Sequence, residues 1–288
     1  MHQAYVSVVI FSIVLLLVGI PPSFAISDVI YGSYSCQRIG GSWNSDTNAC
    51  IVKAMVVFRG ETVVVLPMVT LVNDGTITNG GVLFNSGGSI LNNGAITNAG
   101  TISNNGKTFD NYGTISNRGT IFNSGSFFND GNISNSGTFS NDGNVTQNHA
   151  GIMTNNQDGT ITSISNGNIS NLGAIFNLGI ISNHAKLISG GTIINTAELY
   201  NWNKIKNNLN FTNLGTMTNS GDITNSISGM ITNHKVIYNS VTISNLGVIY
   251  NYGSISNHGS LSNHGTIKSC KGTISGNLVV GKPQNLSC

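Results

Sequence analysis

Residues 117–141 read Asn117-Arg-Gly-Thr-Ile-Phe-Asn123-Ser-Gly-Ser-Phe-Phe-Asn129-Asp-Gly-Asn-Ile-Ser-Asn135-Ser-Gly-Thr-Phe-Ser-Asn141. A six-residue unit, Asn-x-Gly-x-apolar-x, is written four times in succession, with Ile121, Phe127, Ile133 and Phe139 at its apolar position. Asn, Gly and the apolar residue alternate with residues of free choice, which is the period of an extended strand and not of a helix. Six residues supply one short strand and one bend. The chain is therefore expected to wind, each strand lying against the one a full coil earlier.

Three such units, about 18 residues, close a roughly triangular coil. The expected fold is all-β, a parallel β-helix or β-solenoid, of unresolved handedness, with Ile and Phe stacked inside. The recurrent Asn should form amide ladders along the stack, and Gly should relieve backbone strain near each corner. Working outward from residues 73–147, the same unit runs from residue 73 to residue 269. Spacing widens to seven at Asn85–Asn92 and Asn104–Asn111, fails between His149 and Asn166, and gains two residues at Ser226–Thr232. This predicts one solenoid of about eleven coils with about two irregular corners, a rod on the order of 50 Å.

The flanks divide the chain further. Residues 4–20 are apolar and run into Pro21-Pro22-Ser23-Phe24-Ala25, so residues 1–25 read as a signal peptide with the mature chain starting at Ile26. An uncleaved membrane anchor is the alternative. Residues 26–72 form an N-terminal cap, with a Val-rich strand pair around Arg59-Gly60-Glu61, and residues 270–288 form a C-terminal cap. Pro67 and Pro283 fall in these caps, and no proline occurs between them, as a continuous ladder of N–H donors requires.

Cysteine usage points the same way. Cys36, Cys50, Cys270 and Cys288 lie at the two ends, an even number suited to disulfides in an exported chain. Sequence proximity favours Cys36 with Cys50 and Cys270 with Cys288. Such bridges would close ends that otherwise expose strand edges and an open core.

Charged residues make up 8% of the chain and the net charge is +2, which excludes the basic surface that a nucleic-acid partner needs. Acidic side chains concentrate toward the N-terminal half and basic ones toward the C-terminal end, so end-to-end self-association is one expected interaction. Catalysis would need acids and bases gathered together. Asp74, Asp130 and Asp142 instead occur singly as Asn-Asp-Gly, a turn composition. His258 and His264 occupy the same place in consecutive units, hence adjacent faces, and His184 and His234 show no partner at coil spacing. No enzyme activity, cofactor or metal is expected. Lys186, Lys204, Lys206 and Glu198, on nearby coils, mark a shallow polysaccharide-binding groove as an alternative.

Outward aromatic residues are the other binding candidates: Phe122, Phe128, Phe176, Tyr200, Trp202, Tyr238, Tyr250 and Tyr252, which could stack on a cell-surface glycan or protein. Thr76-Ile77-Thr78, Thr101-Ile102-Ser103 and Thr114-Ile115-Ser116 place two hydroxyls outside one strand and look like the threonine arrays of insect antifreeze solenoids, a third class of function. Sequons at Asn132, Asn144, Asn168, Asn210 and Asn285 are candidate glycosylation sites.

Phe109-Asp110-Asn111-Tyr112-Gly113-Thr114-Ile115 resembles coils of the filamentous haemagglutinin family, and the repeat as a whole resembles the shafts of secreted adhesin-like proteins. Cys36-x-x-x-Gly-Gly-x-Trp43 and onward to Cys50 resembles cysteine-bracketed segments of repeat-rich exported archaeal and bacterial proteins. The resemblance implies a non-enzymatic structural or adhesive element, secreted or at the cell surface, touching a membrane only through an uncleaved N-terminal segment. A carbohydrate-binding or carbohydrate-cleaving solenoid stays open beside it.

Overall fold

The computed structural model describes residues 25–283. The expected signal peptide lies outside them, except for its last residue. Nearly every repeat is a four-residue strand that ends on the unit's Asn, with its second and fourth residues buried and its first and third facing out, as in Thr120–Asn123 and Thr192–Asn195. Strands pair in parallel with the strand one coil away: Ile121 is in register with Ile102 on one side and Phe139 on the other. The result is an all-β solenoid of about 12 turns and roughly 19 residues per coil.

Three faces follow. The first is a 13-stranded parallel sheet that starts at β1 (Ala25–Ile30). The second and third belong to one larger sheet, because β5 (Thr70–Asn79) crosses the corner between them without a break. Winding extends beyond residues 73–269. β1 pairs in parallel with β4 (Glu61–Val65), and Thr273–Gly276 and Val279–Gly281 still stack on Ser254–Asn257 and Leu261–Asn263. The strands on either side of Arg59 do not pair with each other. β3 (Ala49–Val57) pairs with β5, while β4 pairs with β1 and the strand Val82–Asn85, so each is already a face of the first coil.

The N-terminal end is closed by α1 (Ser33–Arg38) and by β2 (Ser42–Asn44), which runs antiparallel to β3. The Cys36–Cys50 disulfide ties this helix to that strand. Gly41 is required beside it, since a Cβ there would stand 2.7 Å and 2.8 Å from the two sulfurs. Cys270 is 5% exposed and is not a free thiol. Its expected partner Cys288 lies outside the described residues.

Inside, each face contributes one apolar row, and the rows merge into a single core from Ile30 to Ile267. Phe109 and Phe127 stack at 4.7 Å, and Phe127 meets Phe139 edge-on across the interior. At most corners the buried Asn donates from Nδ2 to the Oδ1 of the Asn one coil on, with Gln147 or Ser189 as the acceptor for Asn129 and Asn171. The run Asn183, Asn201, Asn219, Asn239, Asn257 has spacings of 2.8, 2.7, 2.7 and 2.7 Å. The second Nδ2 hydrogen reaches a backbone carbonyl of the next coil, as from Asn195 to Thr216 O at 3.1 Å. Burying an amide without partners would cost about 1–3 kcal/mol, and the ladder supplies them except at the Oδ1 atoms of Asn79, Asn85, Asn183 and Asn207, which have no donor.

The glycines have a different role from the expected relief of backbone strain. Among the glycines of the described residues only Gly40, Gly60, Gly87, Gly276 and Gly281 have positive φ, and the repeat glycines between residues 94 and 272 do not. They are set by close stacking, because a Cβ at Gly131 would collide with the Gly113 carbonyl oxygen of the coil before.

Where the sequence pattern fails, between His149 and Asn166, the winding persists. Corners at 148–150, 156–158 and 164–166 each bulge, closed by Gly151 N to Asn148 O, Gly159 N to Asn156 O and Gly167 N to Ile164 O. A fourth bulge at 226–228 closes through Gly229 N to Ser226 O. One coil has thus widened at all three of its corners, and with the one-residue widenings at 86–88 and 105–107 the repeat has six irregular corners where about two were expected.

Candidate functional site

The outward residues fall on three faces and three corners, and this placement decides which of them can act together. On the first face lie Phe122, Tyr200 and Tyr238; on the second, Phe128; on the third, Phe176 and Tyr250. Trp202 sits on the corner between the first and second faces, and Tyr252 on the corner between the third and first. The eight aromatic candidates therefore do not form one surface. Trp202, Tyr238 and Tyr252 are 51%, 46% and 45% exposed, and the other five are half-buried against their in-register neighbours.

Two of these rings have partners that the sequence reading missed. His184 lies parallel to Trp202 with ring centres 5.8 Å apart, and His234 lies parallel to Tyr252 at 4.9 Å. Each pair is separated by 18 residues, one coil. The signal was present in that spacing, but the partner of each His is an aromatic ring and not a second metal ligand. His184 also meets the Ser182 hydroxyl at 2.9 Å through Nε2. His258 and His264 occupy two different corners. Among the described residues no three His, Cys, Asp or Glu side chains gather closely enough to hold a metal ion.

The lysine candidates do come together. Lys186 and Lys204 are in-register neighbours on the second face, and Lys206 is two residues along the same strand; all three are exposed. Glu198 faces away from them on the first face, where it accepts a 2.6 Å hydrogen bond from the Tyr200 hydroxyl. That bond raises the Tyr200 pKa above the ordinary tyrosine range. A Lys268 ammonium lies 5.5 Å over the Tyr250 ring on the third face.

The carboxylates are dispersed. Asp74 and Asp130 follow the second face and Asp142 follows the first. The Asn93 amide, with help from Lys53 at 3.4 Å, holds Asp74 below the usual carboxylate range. Asp110 is displaced the other way. It lies in register between Leu91 and Phe128, and this burial raises its pKa against a weaker opposing bond from Thr108.

The hydroxyl pairs expected of an ice-binding face are split. Thr76–Thr78 and Thr114–Ser116 belong to the third face, but Thr101–Ser103 belongs to the first. Asn132, Asn144 and Asn168 are exposed and Asn210 is half-buried, all at the first position of their strands. Asn144 and Asn168 are adjacent in register, and Asn168 Nδ2 donates to Asn144 Oδ1 at 3.3 Å. Asn285 lies outside the described residues.

Compared with protein-family models, curated proteins and solved structures, the chain matches none. The fold is that of a β-solenoid, and the adhesin-like resemblance rests on the repeat pattern alone.

Proposed function

We propose that this protein is a non-enzymatic, extracellular structural or adhesive element of the cell surface. The observation that carries the proposal is the continuity of the stack. One apolar core runs from Ile30 to Ile267 and polar ladders follow the three corners of the repeat with breaks only after Ser163 and Ser189, so the chain is a stiff rod, on the order of 60 Å for 12 turns. Rigidity comes from inward positions alone. Outward positions are free to vary, and they repeat at one-coil intervals on flat faces, which suits multivalent contact with an extended partner. The Cys36–Cys50 bridge fits an oxidising compartment. Among the described residues no helix is long and apolar enough to cross a membrane.

The test is labelling of intact producing cells with a membrane-impermeant, amine-reactive biotin. Labelling equal to that in lysed cells is expected. Labelling that appears only after lysis would overturn a surface location. Negative-stain electron microscopy of the purified protein then separates two surface roles. Fibres would make it a filament subunit joined end to end, whereas isolated rods would sink self-assembly and leave a monomeric spacer or adhesin.

A further inference from the structure

We propose that the corner formed by His184, Trp202 and the lysines Lys186, Lys204 and Lys206 binds an acidic polysaccharide, with a pyranose ring stacked on the Trp202 indole and sugar carboxylates set against the lysines. The site deepens the surface role proposed above and rests on it.

Three features of the corner converge. Trp202 is 51% exposed, a large apolar area to leave in water at about 25 cal/mol per Å². One of its faces is covered by the parallel His184 ring. The residue above it on the same corner, one coil on, is Ser220, whose amide bonds the Asn201 carbonyl at 2.7 Å. A small side chain there leaves the other face of the indole open at the height of one coil. An aromatic platform of this kind, apolar in its body and polar at its tip, is suited to the C–H face of a sugar ring.

The lysines begin two residues beyond the platform. Lys186 and Lys204 lie side by side in register, a like-charge pair that is unfavourable by itself. On its far side Lys204 is in register with Asp222, yet the ion pairs found among the described residues are Arg38–Asp28 and Lys53–Asp74. Glu198, the other acid near this corner, is engaged by Tyr200. Three cations next to an open indole, on a chain with 12 Lys and Arg in all, are complementary to a ligand that carries both ring faces and regularly spaced negative charge. A uronic-acid polymer has both. A nucleic acid would ask for more phosphate contacts than three lysines supply.

The experiment is affinity electrophoresis of the full-length protein through gels containing polygalacturonate, dextran or duplex DNA. Retardation by polygalacturonate alone is expected. Trp202→Ala should weaken it about tenfold, and Lys186→Gln with Lys204→Gln should weaken it and flatten its salt dependence. Lys235→Gln, on another corner, should leave it unchanged. These side chains are exposed, and unchanged circular dichroism and thermal midpoints will show that the variants fold. No retardation, equal retardation of the Trp202→Ala variant, or equal retardation by DNA would each overturn the site. A surface-labelled protein that ignores polygalacturonate sinks the site alone. An internal protein that binds it sinks the surface role alone.

Discussion

Ser189 stands directly before Asn207 in the ladder of the second corner, and the Asn207 Oδ1 is left buried without a donor. The cause is chemical. Ser189 Oγ accepts from Asn171 at 3.1 Å and spends its single proton on the Gly191 carbonyl at 3.3 Å, whereas an Asn would have two hydrogens to give. Every unpaired ladder oxygen follows this rule. Asn183 succeeds Ser163, which donates to Gly167 O, and Asn79 and Asn85 succeed Val57 and Val65. Ser189→Asn should therefore complete the ladder and raise stability by about 1 kcal/mol, read as a higher urea midpoint. An unchanged or lower midpoint would show that the ladder contributes little.

The stacking distance at each corner depends on whether Gly is present. With Gly, the following amide lies 2.6–3.0 Å from the carbonyl one coil back, as for Thr192 N to Gly173 O at 2.9 Å. When Ala197, Asn203, Leu209, Lys235 or Val241 takes the position, the distances for Glu198, Lys204, Asn210, Val236 and Thr242 are 3.2, 3.1, 3.3, 3.3 and 3.2 Å. A Cβ holds the coils apart by a few tenths of an ångström. Ala197→Gly removes that spacer but frees the unfolded backbone, so its net effect should be under about 1 kcal/mol. Gly215→Ala would collide with the Ala197 carbonyl oxygen and should cost about 1–3 kcal/mol. Thermal denaturation of the two variants checks the asymmetry.

Asp110 makes stability depend on pH in an unusual direction. Burial raises its folded-state pKa above the ordinary value of 3.8, so between these two values the folded chain holds more protons than the unfolded one. Stability from this group is greatest below that window and falls as pH rises through it. Asp110→Asn should thus stabilise the protein at pH 7 and do so less at pH 3, measured by urea titration at both. Asp74, whose pKa is lowered, contributes in the opposite sense: its stabilisation is present above the ordinary carboxylate value and is lost on acidification.

Reduction of Cys36–Cys50 opens a loop spanning 14 residues and should cost about 3 kcal/mol. Each coil touches only its neighbours, so the loss should concentrate in α1, β2 and β3. Hydrogen exchange in dithiothreitol should show protection falling at Ile51 and Val52 in β3 while Ile193 and Ile243 stay protected. Uniform loss along the rod would show that the stack melts as one unit.

The repeat by itself determined the strand, the inward row, the polar corner and the parallel stack, because alternation of period two and a six-residue unit admit no other economical winding. Ile121, Phe127 and Ile133 were legible as core for that reason, and the ladder of Asn183 and Asn201 followed from them. Only the tertiary structure decided which outward residues meet. Phe122 and Phe128 are one unit apart in sequence and lie on different faces, whereas His184 and Trp202 are 18 residues apart and touch. Neighbours on this surface are set by coil length, which runs from 18 to 24 residues as corners widen. The reason for the glycines was likewise hidden. It lies in the approach of one coil to the next, a distance that no single unit of the sequence contains.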